Sequence, residues 1–140
     1  MFRRILFAHN GTPAAERAML YLEHLARQSS AEVIVLHVYQ ELDRYLATAG
    51  YKSLMAHLEE VAHEVVNDTV EYLQSLDISA VGMVRSGQTV APAILETARE
   101  EDVSLIVLGT RGPSKVADIL LGDVSTEVLR RANCPVFLVP

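Results

Sequence analysis

The sequence predicts an α/β protein whose parallel sheet is covered by helices on both faces. Five short apolar runs rich in β-branched residues alternate with longer stretches of helical periodicity, which is typical of such a sheet. The 140 residues match the size of one domain, so we expect a single domain over residues 1–140. Half of the residues are hydrophobic and 21% are charged, a balance that favours a compact fold over a disordered chain.

Apolar spacing and capping residues assign the first elements. The first run spans residues 4–9 and is followed by Thr12 and Pro13, an N-cap and a first-turn proline that begin a helix. The second run spans residues 33–38. The least regular segment, residues 39–53, is predicted to be a loop containing a short helix.

The rest of the chain continues the alternation. Apolar residues recur every three or four positions over residues 54–76, which predicts a long amphipathic helix. Because crossovers between parallel strands are right-handed, the alternation predicts a doubly wound sheet. The remaining elements are a strand at residues 80–84, a helix at 90–100, a strand at 104–108, a helix beginning near Asp123 and a strand at 136–139.

Charge, cysteine content and hydropathy argue against several classes of function. The net charge of −6 disfavours a broad nucleic-acid surface. The single cysteine, Cys134, can form neither an internal disulfide nor a multi-cysteine zinc site, which fits a reducing compartment. The apolar runs are too short to cross a bilayer, and the N-terminal one is too short for a signal peptide. We therefore expect a cytoplasmic protein that binds neither nucleic acid nor a membrane.

Two strand ends carry residue types that suit a phosphate. Residues 8–12 follow the first strand, and residues 109–112 (Gly-Thr-Arg-Gly) follow the fourth, with Gly122 at the start of the next helix. Glycine permits close backbone approach, and a helix N-terminus attracts negative charge. Arg111 or Lys115 would add a cation over the phosphates. The same glycines also fit simple turns, so the residues alone leave both interpretations open.

The glycine spacing resembles the nucleotide loop of universal stress proteins. Gly109, Gly112 and Gly122 reproduce the Gly-x2-Gly-x9-Gly spacing of that family. The resemblance covers essentially the whole chain, and it implies a five-stranded sheet of order 3-2-1-4-5 and a homodimer paired through the edge strand Val136–Val139. Further matching segments are residues 4–7, 35–38, 124–128 and 133–136.

The resemblance also implies a binding site for ATP or AMP. Adenine would lie against the backbone at the ends of the first two strands, and the phosphates would lie on the glycine loop. The site residues carried over by position are Ala8, His9, Asn10, Val38, Leu108, Gly109, Arg111, Gly112, Gly122, Asp123, Val124 and Ser125.

Two positions depart from the family pattern. Asn10 replaces an aspartate, a mild change because an amide still accepts a hydrogen bond. Asp123 replaces a hydroxyl residue after the last glycine, and a carboxylate beside phosphate oxygens is repelled by roughly 4 kcal/mol at an effective dielectric of about 20. Asp123 would escape this repulsion by capping the helix that follows, or by holding magnesium between itself and the phosphates.

The other reactive side chains fit structural roles. His57 and His63 lie six residues apart on a helix, a spacing that does not suit a metal site. His9 and His37, both at strand ends, are interpreted either as a pair that titrates near neutral pH or as hydrogen-bonded core residues. No positioned base accompanies Cys134, which favours an inert thiol over a nucleophile.

These observations favour a nucleotide-responsive regulatory module over an enzyme. No Walker, zinc-protease or nucleophile-elbow motif is present in the sequence. Two alternatives stay open: a dimeric scaffold of the same fold that binds no nucleotide, for which Asp123 argues, and a weak nucleotide hydrolase. No catalytic or metal-binding residues are predicted.

Overall fold

The structure is a doubly wound sheet of five parallel strands. The computed structural model describes residues 1–42, 46–110 and 123–140. The strand order is β3-β2-β1-β4-β5, which confirms the predicted order and fold class. The elements are β1 (Arg4–Ala8), α1 (Pro13–Ser29), β2 (Glu32–Gln40), α2 (Tyr51–Ser75), β3 (Ala80–Gly87), α3 (Val90–Glu100), β4 (Leu105–Gly109), α4 (Asp123–Arg131) and β5 (Val136–Val139).

The boundaries of two strands and one helix differ from the prediction by two residues or more, whereas those of β1 and β4 differ by one. β2 and β3 extend past their apolar runs, because Tyr39 pairs with Ser86 and Gln40 with Gly87. α2 begins at Tyr51 rather than at residue 54. The short helix predicted within residues 39–53 is wrong for the part of that segment that is described: its start belongs to β2 and its end to α2, with turns between them.

The two faces of the sheet bury separate apolar layers. Successive side chains of a strand point to opposite faces. Phe7 and Val35 therefore pack against α1 and α2, whereas Leu36 and Ile106 pack against α3 and α4. Over the described residues no helix is long and apolar enough to cross a bilayer.

Helix α1 begins as its sequence predicts. The Thr12 hydroxyl accepts a hydrogen bond from the Ala15 N–H, and Pro13 occupies the first turn. A capping hydroxyl satisfies one of the backbone donors that a helix start leaves free, and proline has no such donor to satisfy. The start of α1 is therefore held directly beside the ends of the central strands.

Gly109, at the end of β4, lies directly against the backbone of the first turn of α1. A Cβ atom at this position would collide with backbone atoms of Ala14 and Ala15 in the first turn of α1. Backbone atoms cannot rotate away as the tip of a side chain can. The absence of a side chain at Gly109 therefore allows α1 to pack on β4.

We expect Gly109→Ala to destabilise the fold by about 1–3 kcal/mol, the usual cost of overpacking a rigid contact. Urea unfolding followed by circular dichroism measures the change. The comparison variant is Gly11→Ala, where a Cβ meets nothing within 4 Å and the cost comes from a φ of +78° alone. Equal stability of Gly109→Ala and wild type would show that α1 moves aside without cost.

Candidate functional site

A cavity of about 230 Å³ opens at the carboxyl ends of the central strands. The strand order reverses between β1 and β4, and doubly wound sheets bind ligands in the crevice at such a point. Three strand ends, the start of α4 and one face of α3 surround it. The described lining residues are Ala8, His9, Asn10, Leu36, Val38, Val90, Ile94, Leu108, Gly109, Asp123, Val124 and Ser125.

Nine of the twelve predicted site residues line this one cavity. The first and fourth strands are neighbours, so the residues that follow them meet as the doubly wound interpretation requires. The three others, Arg111, Gly112 and Gly122, lie outside the described residues, as does Lys115. The nine that the structure brings together are Ala8, His9, Asn10, Val38, Leu108, Gly109, Asp123, Val124 and Ser125.

The sequence interpretation missed one apolar wall of the cavity. Leu36, Val90 and Ile94 line it but were not predicted. Two periodicities carry the missing signal: Leu36 lies two residues before Val38 on the same face of a strand, and Val90 and Ile94 lie four apart on one face of a helix. This wall supplies a flat apolar surface of the kind that ligand pockets use for rings.

The loop after β1 is a compact turn held by its own side chains. The Asn10 Oδ1 accepts hydrogen bonds from the Thr12 N–H at 3.1 Å and from the Thr12 hydroxyl at 2.6 Å. Gly11 has a φ of +78°, the left-handed conformation that glycine adopts without strain. Because the backbone N–H can only donate, Oδ1 must face Thr12, and the amide nitrogen of Asn10 is left to face outward. We call residues 10–12 the β1 turn.

His9 is the buried residue beneath the β1 turn. It is only 3% exposed, and its ring lies 5.2 Å from that of Phe7, on the α1 side of the sheet. Its Nδ1 accepts a hydrogen bond from the Gly11 N–H at 2.9 Å, and its Nε2 lies 3.3 Å from a carboxylate oxygen of Glu16. Since Nδ1 is the acceptor, the neutral ring carries its proton on Nε2 and donates it to Glu16.

Burial lowers the pKa of His9 below the ordinary histidine value, and the nearby Glu16 carboxylate only partly offsets this. The backbone of His9 is also paired, because its N–H donates to the Leu36 carbonyl at 2.9 Å. Every polar atom of His9 therefore has a partner once its carbonyl is included. The hydrogen-bonded core role predicted as one alternative is confirmed for this residue.

His37, on β2, is the partner of the His9 carbonyl. Its Nδ1 lies 2.7 Å from that oxygen, and a carbonyl only accepts, so Nδ1 of His37 carries a proton. Burial lowers the pKa of His37, and the hydrogen bond to His9 partly offsets the effect. The two histidines are thus joined through a backbone oxygen rather than ring to ring.

Asp123 is both the first residue of α4 and a lining residue of the cavity. Its carboxylate lies in the first turn, where the positive end of the helix stabilises a negative charge. It is exposed, whereas Ser125 in the same turn is 4% exposed. Asp123 is the one formally charged group among the described lining residues. Asp123 therefore stands at the start of the helix and in the lining of the cavity at once.

The remaining candidates are separate from the cavity. His57 and His63 are exposed on α2, and no cluster of three metal-ligating side chains exists within residues 1–42, 46–110 and 123–140. Cys134 is half-buried, and burial raises its pKa, so its thiol keeps its proton at neutral pH. The raised pKa of the Cys134 thiol fits the inert role predicted for it.

Comparison with known proteins identifies the family to which this fold and cavity belong. The sequence profile of the universal stress protein family matches residues 1–140. The chain belongs to the universal stress protein family. Universal stress protein YxiE of Bacillus subtilis is 31% identical over 147 residues, covering 99% of each chain. A universal stress protein of Thermus aquaticus is 32% identical over 139 residues, again covering 99% of each chain.

Solved structures of universal stress proteins share the whole architecture. The structure of MJ0577, a universal stress protein of Methanocaldococcus jannaschii, superposes with a TM-score of 0.88 at 26% identity. The match covers 99% of this chain and 96% of that one. The five-stranded parallel sheet and its order are therefore those of a universal stress protein.

Proposed function

We propose that this universal stress protein is a regulatory module that binds an adenine nucleotide. The cavity at the strand ends carries the proposal, because it brings together nine residues that were predicted to hold the nucleotide. Two structural neighbours support it. One universal stress protein, 22% identical with a TM-score of 0.64, is in complex with cAMP. Another, from Archaeoglobus fulgidus, 21% identical with a TM-score of 0.69, is in complex with dAMP.

The two ends of the cavity suit the two ends of a nucleotide. Leu36, Val90 and Ile94 form an apolar wall against which a purine ring would stack. The N-terminus of the nine-residue helix α4 lies at the polar end, where backbone N–H groups attract a phosphate. The Asp123 carboxylate at that end favours AMP over ATP, because repulsion grows with the number of phosphate charges. Magnesium between Asp123 and the phosphates would reverse this preference.

The proposal predicts that filling the cavity abolishes binding. Val38→Trp places a large ring in the cavity, and we expect it to weaken AMP binding by about tenfold or more in isothermal titration calorimetry. Val61→Trp makes the same change at an exposed valine of α2 and serves as the matched control. Mass spectrometry of small molecules released from the denatured wild-type protein identifies any nucleotide that copurifies.

The proposal fails if wild type binds neither AMP nor ATP and releases no nucleotide. The alternative in that event is a scaffold of the same fold that binds no nucleotide, which the Asp123 carboxylate at the cavity favours. We propose a binding role rather than catalysis because the ring of His9, the one histidine among the described lining residues, is engaged by its own neighbours on the α1 side of the sheet. We also place the protein in the cytoplasm, without a nucleic-acid or membrane partner.

We further propose that the protein is a homodimer paired through β5. This strand, Val-Phe-Leu-Val, lies at one edge of the sheet, and an exposed apolar edge promotes pairing. Leu20 and Tyr21 on α1 are 64% and 52% exposed, and the Tyr21 ring lies 5.7 Å from that of Phe137. The other edge strand, β3, is less suited because Arg85 and Ser86 interrupt it.

A further inference from the structure

We propose that His9 is a positioning residue for the β1 turn, and that the turn keeps its ligand-binding shape only while the Nδ1 atom of His9 carries no proton. The proposal rests on the proposed function to the extent that a nucleotide occupies the cavity. Its structural part concerns the turn alone, whose hydrogen bonds are made by the protein's own residues.

The geometry separates the ring of His9 from the cavity that its backbone lines. His9 lies two residues beyond Phe7 in the chain, so its ring shares the α1 face of the sheet, whereas Leu36 and Val38 line the cavity from the other face. A ligand in the cavity meets the backbone of His9 and the neighbouring Asn10. The ring acts on the ligand only through the turn that it holds.

One hydrogen bond connects the ring to the turn. The Gly11 N–H donates to Nδ1 at 2.9 Å, and Gly11 stands between Asn10 and Thr12, which are joined by two further hydrogen bonds. A proton on Nδ1 turns this acceptor into a donor that faces another donor. The contact then becomes repulsive, and the new Nδ1–H of the buried His9 ring has no acceptor, while the N–H of the exposed Gly11 loses its partner. The turn must move for either group to find a new one.

Among the described residues, the charged and titratable groups that face His9 come from two elements. Glu16 on α1 lies 3.3 Å from Nε2 and stabilises the protonated ring, whereas His37 on β2 opposes it when charged. Burial outweighs Glu16, so the pKa of His9 is lowered and the ring is neutral at physiological pH. Protonation of His37 leaves its own contact intact, because its Nδ1 already donates to the His9 carbonyl. His9 is therefore the residue whose protonation changes a contact.

The sign of the pH dependence follows from linkage. If the ligand prefers the form with neutral His9, its affinity is constant above the pKa of His9 and falls as the pH drops below it, by up to tenfold per pH unit. That pKa lies under the ordinary value of 6.5, so the fall begins on the acidic side of neutrality. Raising the pH from 7 to 8 leaves the affinity unchanged.

The test is the affinity for AMP between pH 5 and 8 in wild type and His9→Asn. Asparagine places an oxygen acceptor near the position of Nδ1 but cannot be protonated in this range, so we expect wild type to lose affinity relative to His9→Asn as the pH falls. Because the AMP phosphate also titrates here, each variant is compared with wild type at the same pH. His63→Asn, on the exposed face of α2, is the control and should retain the wild-type profile. Parallel profiles for wild type and His9→Asn would overturn the proposal.

Glu16→Gln provides a second variant that leaves His9 in place. Removing the carboxylate lowers the pKa of His9 further, so the acidic loss of affinity should move to lower pH. An unmoved profile would contradict the proposal even if His9→Asn failed to fold.

Nuclear magnetic resonance separates the two proposals. We expect the Gly11 amide shift to titrate with the same midpoint as the His9 ring in the protein without ligand. A Gly11 amide shift that stays constant while His9 titrates would overturn the positioning role. If the Gly11 amide shift titrates with His9 but the protein binds no AMP at any pH, the positioning role stands and the proposed nucleotide binding is rejected.

Discussion

Asp123→Ser is expected to tighten ATP binding about tenfold, because it removes a negative charge from the phosphate end of the cavity. Two charges 4 Å apart repel by about 1 kcal/mol in water and by about 4 kcal/mol at an effective dielectric of about 20. Asp123 is exposed, which places the expected gain nearer the lower limit. Calorimetric titration of ATP and AMP into both proteins measures it, and AMP should gain less than ATP because it carries fewer charges.

Magnesium distinguishes repulsion from metal bridging. Under repulsion, the serine variant binds ATP more tightly than wild type with or without magnesium. Under bridging, wild-type binding requires magnesium and is lost in the variant. Stability should change by only about 0.3–1 kcal/mol, since serine is a comparable residue at a helix start and only the favourable first-turn charge is lost.

Asp68→Ser controls for charge removed elsewhere, because Asp68 is an exposed acid on α2 outside the cavity. It should leave ATP affinity unchanged. If Asp123→Ser and Asp68→Ser behave alike, Asp123 does not face the phosphates. Binding of ATP by neither wild type nor Asp123→Ser, with AMP binding retained, would confine the site to monophosphates.

The second large effect concerns assembly, where Leu20→Glu is expected to convert a dimer into a monomer. Leu20 forms an apolar groove with Tyr21, Leu25 and Phe137 beside the edge strand β5. Burying a leucine contributes about 1.5–3 kcal/mol, and a two-fold interface contains each residue twice. The dissociation constant should therefore rise roughly hundredfold or more. Sedimentation velocity over a concentration series measures the change.

Leu54→Glu makes the same substitution at an exposed leucine of α2 and should leave the dimer intact. A wild-type protein that sediments as a monomer at micromolar concentration would reject the proposed dimer. The proposed dimer is also rejected if the Leu20→Glu protein and a second variant, Leu138→Pro, both remain dimeric.

The proline position matters because alternate residues of β5 face opposite sides. The carbonyls of Pro135 and Val139 accept hydrogen bonds from Ile106 and Thr110 on the β4 side. The backbone N–H and C=O of Phe137, midway between them, also point towards β4, whereas those of Leu138 point to the open edge. A proline at residue 137 would therefore disturb the sheet itself, whereas one at residue 138 removes a donor from the edge.

The apolar pattern predicted the central strands well because their burial leaves little choice of residue type. Residues 5–7 of β1 and 105–108 of β4 are apolar and buried, with side chains on both faces of the sheet. The ends of β2 and β3 were missed because Gln40 and Arg85 are polar, and these ends pair through backbone hydrogen bonds that side-chain type does not reveal. Periodicity reports burial rather than backbone pairing.

The candidate site was predictable to the extent that it follows strand ends. Asn10, Val38 and Gly109 were found because the topology brings those ends together. The contact between His9 and Glu16 was not predicted, because the two lie seven residues apart across a strand end, a turn and the first turn of a helix. No single sequence periodicity describes a strand, a turn and a helix together, so this contact is visible only in the three-dimensional structure.

The close approach at Gly109 also limits how this cavity can be redesigned for another ligand. Val38, Val90 and Ile94 present side chains that can be exchanged for larger or smaller ones. Any side chain at residue 109 would instead push α1 outward, and with it Thr12 and the turn that Thr12 closes. A designer can therefore vary the apolar wall, but must treat Gly109 and the start of α1 as one unit and rebuild both together.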